Sequence, residues 1–273
     1  MTLRILRPKK PRWLITSLVI GAIAIAVRLV VVGRRPWDPA RTAGLVFGIA
    51  ASLLYLIDLL YPIRRKLLAL PLGNAQRWIQ LHIYGGSLAF LFVLIHEGFR
   101  WPSGTMGWLL LFLSLWATVS GLAGVWLQKW VPALLAGGLQ VEALLERVPE
   151  LVEKLKVEAD TLMSGSSEML ERFYIEDVRP ALAGINSSWN YLTDVRSGRE
   201  LRLEPFSRMA RFLAEEERPR LEDLKTVYTE KLELDAQYSV QRILRLWVAF
   251  HVPPCVLLFG LMLFHIWTSL AYE

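Results

Sequence analysis

Five apolar runs, each about as long as a bilayer is thick, limit this chain more than any other feature of its sequence. They lie at about 13–33, 43–61, 77–99, 106–131 and 242–271. A helix rises about 1.5 Å per residue, so roughly 20 apolar residues cross a hydrocarbon core of about 30 Å. Backbone N–H and C=O groups find no water there, so each run must satisfy its hydrogen bonds internally, as a helix. The expected fold is an all-α membrane protein. It is a five-span helical bundle with a helical cytoplasmic insertion between spans four and five. Spans one to four fall in 1–132, a soluble helical domain in 133–240 and the fifth span in 241–273. The first run is long for a signal h-region and is not followed by a small-residue cleavage site, so it reads as a span that stays.

Charge is divided in the same way. Residues 133–240 hold 14 Lys+Arg against 21 Asp+Glu, and the remainder holds 17 against 4. The formal charge of +6 therefore belongs to the membrane part, where it reflects anchoring and topology, and nucleic acid is excluded as a partner. Arg4, Arg7, Lys9, Lys10, Arg12, Arg64, Arg65, Lys66 and Arg77 flank one side of the spans. Arg34, Arg35, Arg41 and Arg100 flank the other. Nine against four places the N-terminus and the 133–240 domain in the cytoplasm, in a multi-pass protein of the inner (plasma) membrane. Trp13, Trp78, Trp101, Trp126, Trp130, Trp247 and Trp267 sit at or near span ends, as interfacial indoles do.

Within the polar domain, Val141, Leu144, Leu145, Val148, Leu151, Val152 and Leu155 recur at helical spacing, with a break at Gly165. A less regular stretch runs through Pro180, Gly184 and Gly198, and Glu215–Glu217 reads as a solvated face. From Leu221 through Leu224, Val227, Tyr228 and Leu232 the pattern continues toward the fifth span without Pro or Gly. One long helix is expected to carry the domain into that span.

The chain has four histidines, all inside expected spans. His82 and His96 stand 14 residues apart on span three, and His251 and His265 stand 14 apart on span five. Fourteen residues turn through about 1400°, about 40° short of four turns, and rise about 21 Å. Each pair therefore shares one helix face, with one imidazole toward each end of the hydrocarbon region. Spans three and five run parallel, because span four alone separates them. His82 then matches His251 near the cytoplasmic side, and His96 matches His265 near the outer side. Two bis-imidazole sites stacked along the membrane normal suit two haem b groups, with His82, His251, His96 and His265 as axial ligands. Filled axial positions favour electron transfer over ligand binding at iron.

Two other readings compete. Single histidines in membrane helices often bond a neighbouring helix, although four at identical paired spacing disfavour that. Zinc or copper handling lacks a compact acidic or thiol cluster to complete a tetrahedral site. Cys255, the only cysteine, adds little beside His251. It also excludes an intramolecular disulfide, a four-cysteine iron–sulfur cluster within this chain and covalent c-type haem.

Neighbouring residues fit the haem reading. Gly85 and Gly86 follow His82 by one turn, and Gly86 is the candidate for close approach to a flat macrocycle. Gly121, Gly124 and Gly260 could serve alike, or simply pack helices. Arg77 and Arg100, with Arg242 and Arg245, stand near the two haem levels and are candidate partners for propionates. Pro253 and Pro254 should kink span five after His251. Asp58 and Glu97 are span-end acids, and Glu97 is a candidate proton acceptor from a quinol. Arg28 is expected to snorkel.

The segments QLHIYGGSLAFLFVLIHEGF at 80–99, VSGLAGVWL at 119–127 and HVPPCVLLFGLMLFHIW at 251–267 carry a resemblance. Paired histidines 14 apart on two parallel helices resemble the dihaem core of the cytochrome b family. Their placement also resembles the ferric reductase-like transmembrane domain. That resemblance implies a membrane oxidoreductase of the respiratory type. The 133–240 region has no G-x-G-x-x-G fingerprint, so a flavin or nicotinamide domain is not expected within this chain. Electrons would come from the quinone pool or from other redox subunits on the cytoplasmic or outer side. The expected function is a b-type dihaem cytochrome subunit transferring electrons across the membrane in a larger complex, with lipid around it and quinone as a candidate further cofactor. Haem or metal transport and a purely structural membrane anchor are the alternatives.

Overall fold

The computed structural model describes residues 11–32, 37–66, 74–135, 146–186 and 195–271, and these are helical with no strand among them. Val141, Leu144 and Leu145 lie outside the described residues. The chain divides into two units, Met1–Leu127 with Trp247–Glu273, and Gln128–Leu246.

The first unit holds α1 (Pro11–Val32), α2 (Thr42–Lys66), α3 (Ala75–His96), most of α4 (Thr105–Leu135) and the end of a 54-residue helix, α9 (Arg218–Ala271). All five are long and apolar enough to cross a membrane. Their large aliphatic side chains stay exposed, among them Leu18, Leu29, Val46, Leu53, Val119 and Leu257. In water such a surface would aggregate, whereas in lipid it is the solvated face.

Among the described residues α2 and α3 pack backbone to backbone over a long stretch, and α1 and α3 over a shorter one. Small residues make this possible. A Cβ on Gly48 of α2 would meet the His96 ring at 2.9 Å, and one on Gly21 of α1 would meet Leu91 at 3.1 Å. The membrane part of α9 meets α4 through indoles: Trp247 Nε1 donates to Ser120 O at 2.7 Å and Trp116 Nε1 donates to Phe250 O at 3.0 Å. The Trp247 indole also fills the space over Gly124.

Helix ends explain where the expected span boundaries shift. Asn74 caps α3, accepting from Gln76 N at 2.8 Å. The helix stops at His96, short of residue 99. Gly98 (φ +70°) and Phe99 (φ +57°) turn left-handed, with Phe99 N donating to Leu94 O at 2.8 Å and Gly98 N to Ile95 O at 2.9 Å. Those two bonds form a Schellman cap, which satisfies the last carbonyls. Glycine is required at 98 twice over, because a Cβ there would also meet the Trp37 indole at 2.5 Å. Arg28 holds this cap. Its Nη2 donates to Gly98 O at 2.8 Å and its guanidinium lies over Trp37 and Phe99, at 4.9 and 5.7 Å from the ring centroids. The arginine is tied to the α3 terminus instead of reaching freely into solvent. At the other span, Pro253 and Pro254 sit inside α9 without ending it.

The second unit has its own core. In α5 (Val148–Met163), Val148, Val152, Leu155, Ala159 and Met163 recur on one buried face. The helix ends before Gly165, whose φ is +77°. Then come α6 (Glu168–Phe173), a π-helical turn at Tyr174–Val178, α7 (Arg179–Leu182) and α8 (Val195–Met209). Pro180 and Gly198 therefore lie within helices, where the sequence reads as irregular. Leu170, Phe173, Phe206, Leu221 and Leu224 close the core. Glu215 and Glu216 are solvated, as expected. Glu217 instead braces the start of α6, its carboxylate accepting from Ser167 N at 2.7 Å and from the Ser167 hydroxyl. The apolar pattern from Leu221 does run on through α9 to Ala271.

Candidate functional site

Three of the four histidines stand in settings that their helices and neighbours define closely. His82 on α3 and His251 on α9 approach at 6.4 Å between ring centroids, with planes perpendicular. Tyr61 stacks on His82 at 5.1 Å, and Trp247, one turn before His251, stacks on that ring at 5.4 Å. Gly121 faces His251 Cε1, 3.5 Å from where its Cβ would lie.

Hydrogen bonding selects the ring tautomers. His96 Nδ1 lies 2.9 Å from Gly44 O. A carbonyl only accepts, so Nδ1 carries the proton and Nε2 keeps its lone pair. His251 Nδ1 lies 2.8 Å from Ser120 Oγ. Ser120 has one hydroxyl hydrogen, which it gives to Trp116 O at 2.6 Å. Toward His251 it therefore accepts, which again leaves Nε2 unprotonated. The Cys255 sulfur lies beside the ring, 3.8 Å from Nε2. His82 Nδ1 lies 3.6 Å from Asp58 Oδ1, too long for a hydrogen bond but within ion-pair range.

The second pair is looser. His265 is half-buried and within electrostatic range of His96 and Glu97, and it makes no ring-to-ring contact with His96. The His96 carbonyl accepts from Trp37 Nε1 at 3.0 Å, which fixes the end of α3.

The remaining candidates separate. Arg77, Arg100, Arg242 and Arg245 are exposed. Arg245 pairs with Glu146 at 3.0 Å. Gly86 packs against a carboxylate: a Cβ there would meet Asp58 Oδ2 at 2.8 Å, and one on Gly85 would meet Asp58 Oδ1 at 3.3 Å. Glu97 caps α3. Among the described residues no cluster of three or more His, Cys, Asp or Glu could hold a metal ion.

Sequence reasoning passes over Ser120, Gly44, Gly48, Tyr61 and Trp37, which orient or flank the histidines. Only Trp247 carried a local signal, four residues before His251. The others reach their histidines from different helices or from the loop before α2.

No protein-family model, curated protein or solved structure matches the chain.

Proposed function

We infer that this chain is a dihaem b-type cytochrome subunit that conducts electrons across a membrane within a larger oxidoreductase. The observation that carries the reading is the meeting of His82 and His251 from two helices at 6.4 Å. Coming from different helices, these two imidazoles are the residues that would hold one haem iron, which would supply a one-electron couple. One further observation supports the fit. The histidines whose tautomers can be assigned, His96 and His251, keep Nε2 free as a lone pair.

On this reading His82 and His251 hold the inner haem, and His96 and His265 hold the outer one. The protein's own groups set the surroundings of the iron. Ser120 and Gly44 hold the proton on Nδ1, which would leave Nε2 as the nitrogen available to the iron. Trp247 and Tyr61 stack on the inner rings and limit their rotation. The aliphatic shell of the bundle excludes water. Donors and acceptors are the quinone pool or partner redox subunits, and the Gln128–Leu246 unit offers those subunits a polar surface.

The test is a pyridine haemochrome assay on purified protein with a redox titration. Two haem b per chain are expected, falling to one in His82→Ala. Protein folded with haem available that contains none refutes the reading.

A further inference from the structure

We propose that Asp58 is a positioning residue for the inner site: its carboxylate takes the Nδ1 proton of His82 as hydrogen-bond acceptor, fixing that ring for ligation and lowering the potential of the iron it holds. The inference rests on the dihaem reading and deepens it.

Asp58 lies on α2, in the membrane unit, with its side chain 12% exposed. An intramembrane acid is costly and demands a partner. The Oδ1 atom of Asp58 and the Nδ1 atom of His82 are both buried, and neither has a hydrogen-bond partner among the described residues. They face each other at 3.6 Å, so a shift of a few tenths of an ångström would satisfy both. Leaving a buried donor or acceptor unpaired forfeits the water it lost on burial, so the two are driven together.

The Gly85–Gly86 pair makes this approach possible. The carboxylate lies where their side chains would be, with Oδ2 2.8 Å from a Cβ on Gly86. The two glycines therefore admit an acid to the face of α3 one turn after His82. Tyr61, three residues on along α2, stacks on the same imidazole, so α2 supplies both an aromatic ring and a carboxylate to His82. Ser120 and Gly44 serve His251 and His96 with neutral acceptors. Of these three acceptors only Asp58 is a carboxylate. A carboxylate on the second nitrogen raises the basicity of a ligating imidazole, which favours the ferric state.

The experiment is a redox titration of the purified full chain, with the inner haem identified as the one missing from His82→Ala. Asp58→Asn is expected to keep both haems and to raise the inner potential by a tenfold or greater change in the one-electron equilibrium, about 59 mV or more. The outer potential stays in place, and Asp58→Glu returns the inner one toward its parent value. If Asp58→Asn does not fold, Gly86→Ala decides the matter. Its Cβ displaces the carboxylate, and the same upward shift is expected. An unchanged inner potential in the deciding variant overturns the role of Asp58, as does a shift in Asp58→Glu equal to that in Asp58→Asn. A parent protein without haem overturns the dihaem reading itself, so the two failures are distinguishable.

Discussion

Lys231 and Asp235 stand one turn apart on α9, each 1% exposed, with Nζ and Oδ2 2.7 Å apart. Asp235 also accepts from Asn186 N at 3.1 Å. Two ions in a core of leucine and valine have lost their water, and each is tolerated only because of the other. Asp235→Leu removes the acid and strands the ammonium. Breaking a buried pair from one side costs about 3–5 kcal/mol, or two to four orders of magnitude in the unfolding constant. A domain with about 5–15 kcal/mol of stability then loses about a fifth or more of it. The double variant Lys231→Met, Asp235→Leu leaves no charge behind. It is expected to lie near the parent or up to about 4 kcal/mol above it. Pulse proteolysis of the full chain in detergent across a urea series reads this, scored on cleavage within 128–246. The reasoning fails if Asp235→Leu stays within about 1 kcal/mol of the parent, or if the double variant equals the sum of its singles.

Three other outcomes follow from particular contacts. The Tyr174 hydroxyl (2.6 Å) and, secondarily, Arg179 (3.1 Å) hold the Asp160 carboxyl below the usual carboxylate range. That contribution is present above about pH 4 and is lost as pH falls through the lowered value. Tyr174→Phe should therefore be less stable than the parent at pH 7, with the gap closing toward pH 3 in paired urea titrations; a gap of constant size argues against the contact. Gly48→Leu puts a branched chain where a Cβ already meets His96 at 2.9 Å. It should break the bond from Nδ1 to Gly44 O; on the proposed dihaem reading haem content then falls from two to one, whereas retention of both would show the ring is free to move. Trp37→Phe keeps an aromatic ring but loses the Nε1 bond to His96 O. It should cost about 1 kcal/mol, measured as a lower thermal midpoint for the detergent-solubilised protein.

The spans were legible because the bilayer imposes a length, and a helix of that length has no alternative way to satisfy its backbone. The long α9 was legible too, since nothing between Leu221 and the fifth span interrupts an apolar helical pattern. The end of α3 was missed by three residues. A cap at Gly98 depends on left-handed backbone at two positions, on Trp37 covering the glycine and on Arg28 reaching across from α1. In the sequence Gly86 is a candidate seat for a macrocycle, because a glycine records only that something comes close. The structure places the Asp58 carboxylate there.

What the sequence by itself determined about this protein is its spanning helices and, through the spacing of 14 within each pair, which histidines share a helix face. Both are properties of one helix at a time, set by rise and turn per residue. Which helix each face meets is a different matter. Lipid is as apolar as leucine, so burial of apolar surface does not drive one span toward another, and periodicity carries no information about partners. The pairing of His82 with His251 follows in the sequence from depth and helix direction; tertiary structure decided that Ser120 and Gly44 turn two imidazoles and that Asp58 reaches the face of α3. Those choices depend on small residues, indoles and buried polar atoms fitting across helices whose positions in the sequence lie far apart.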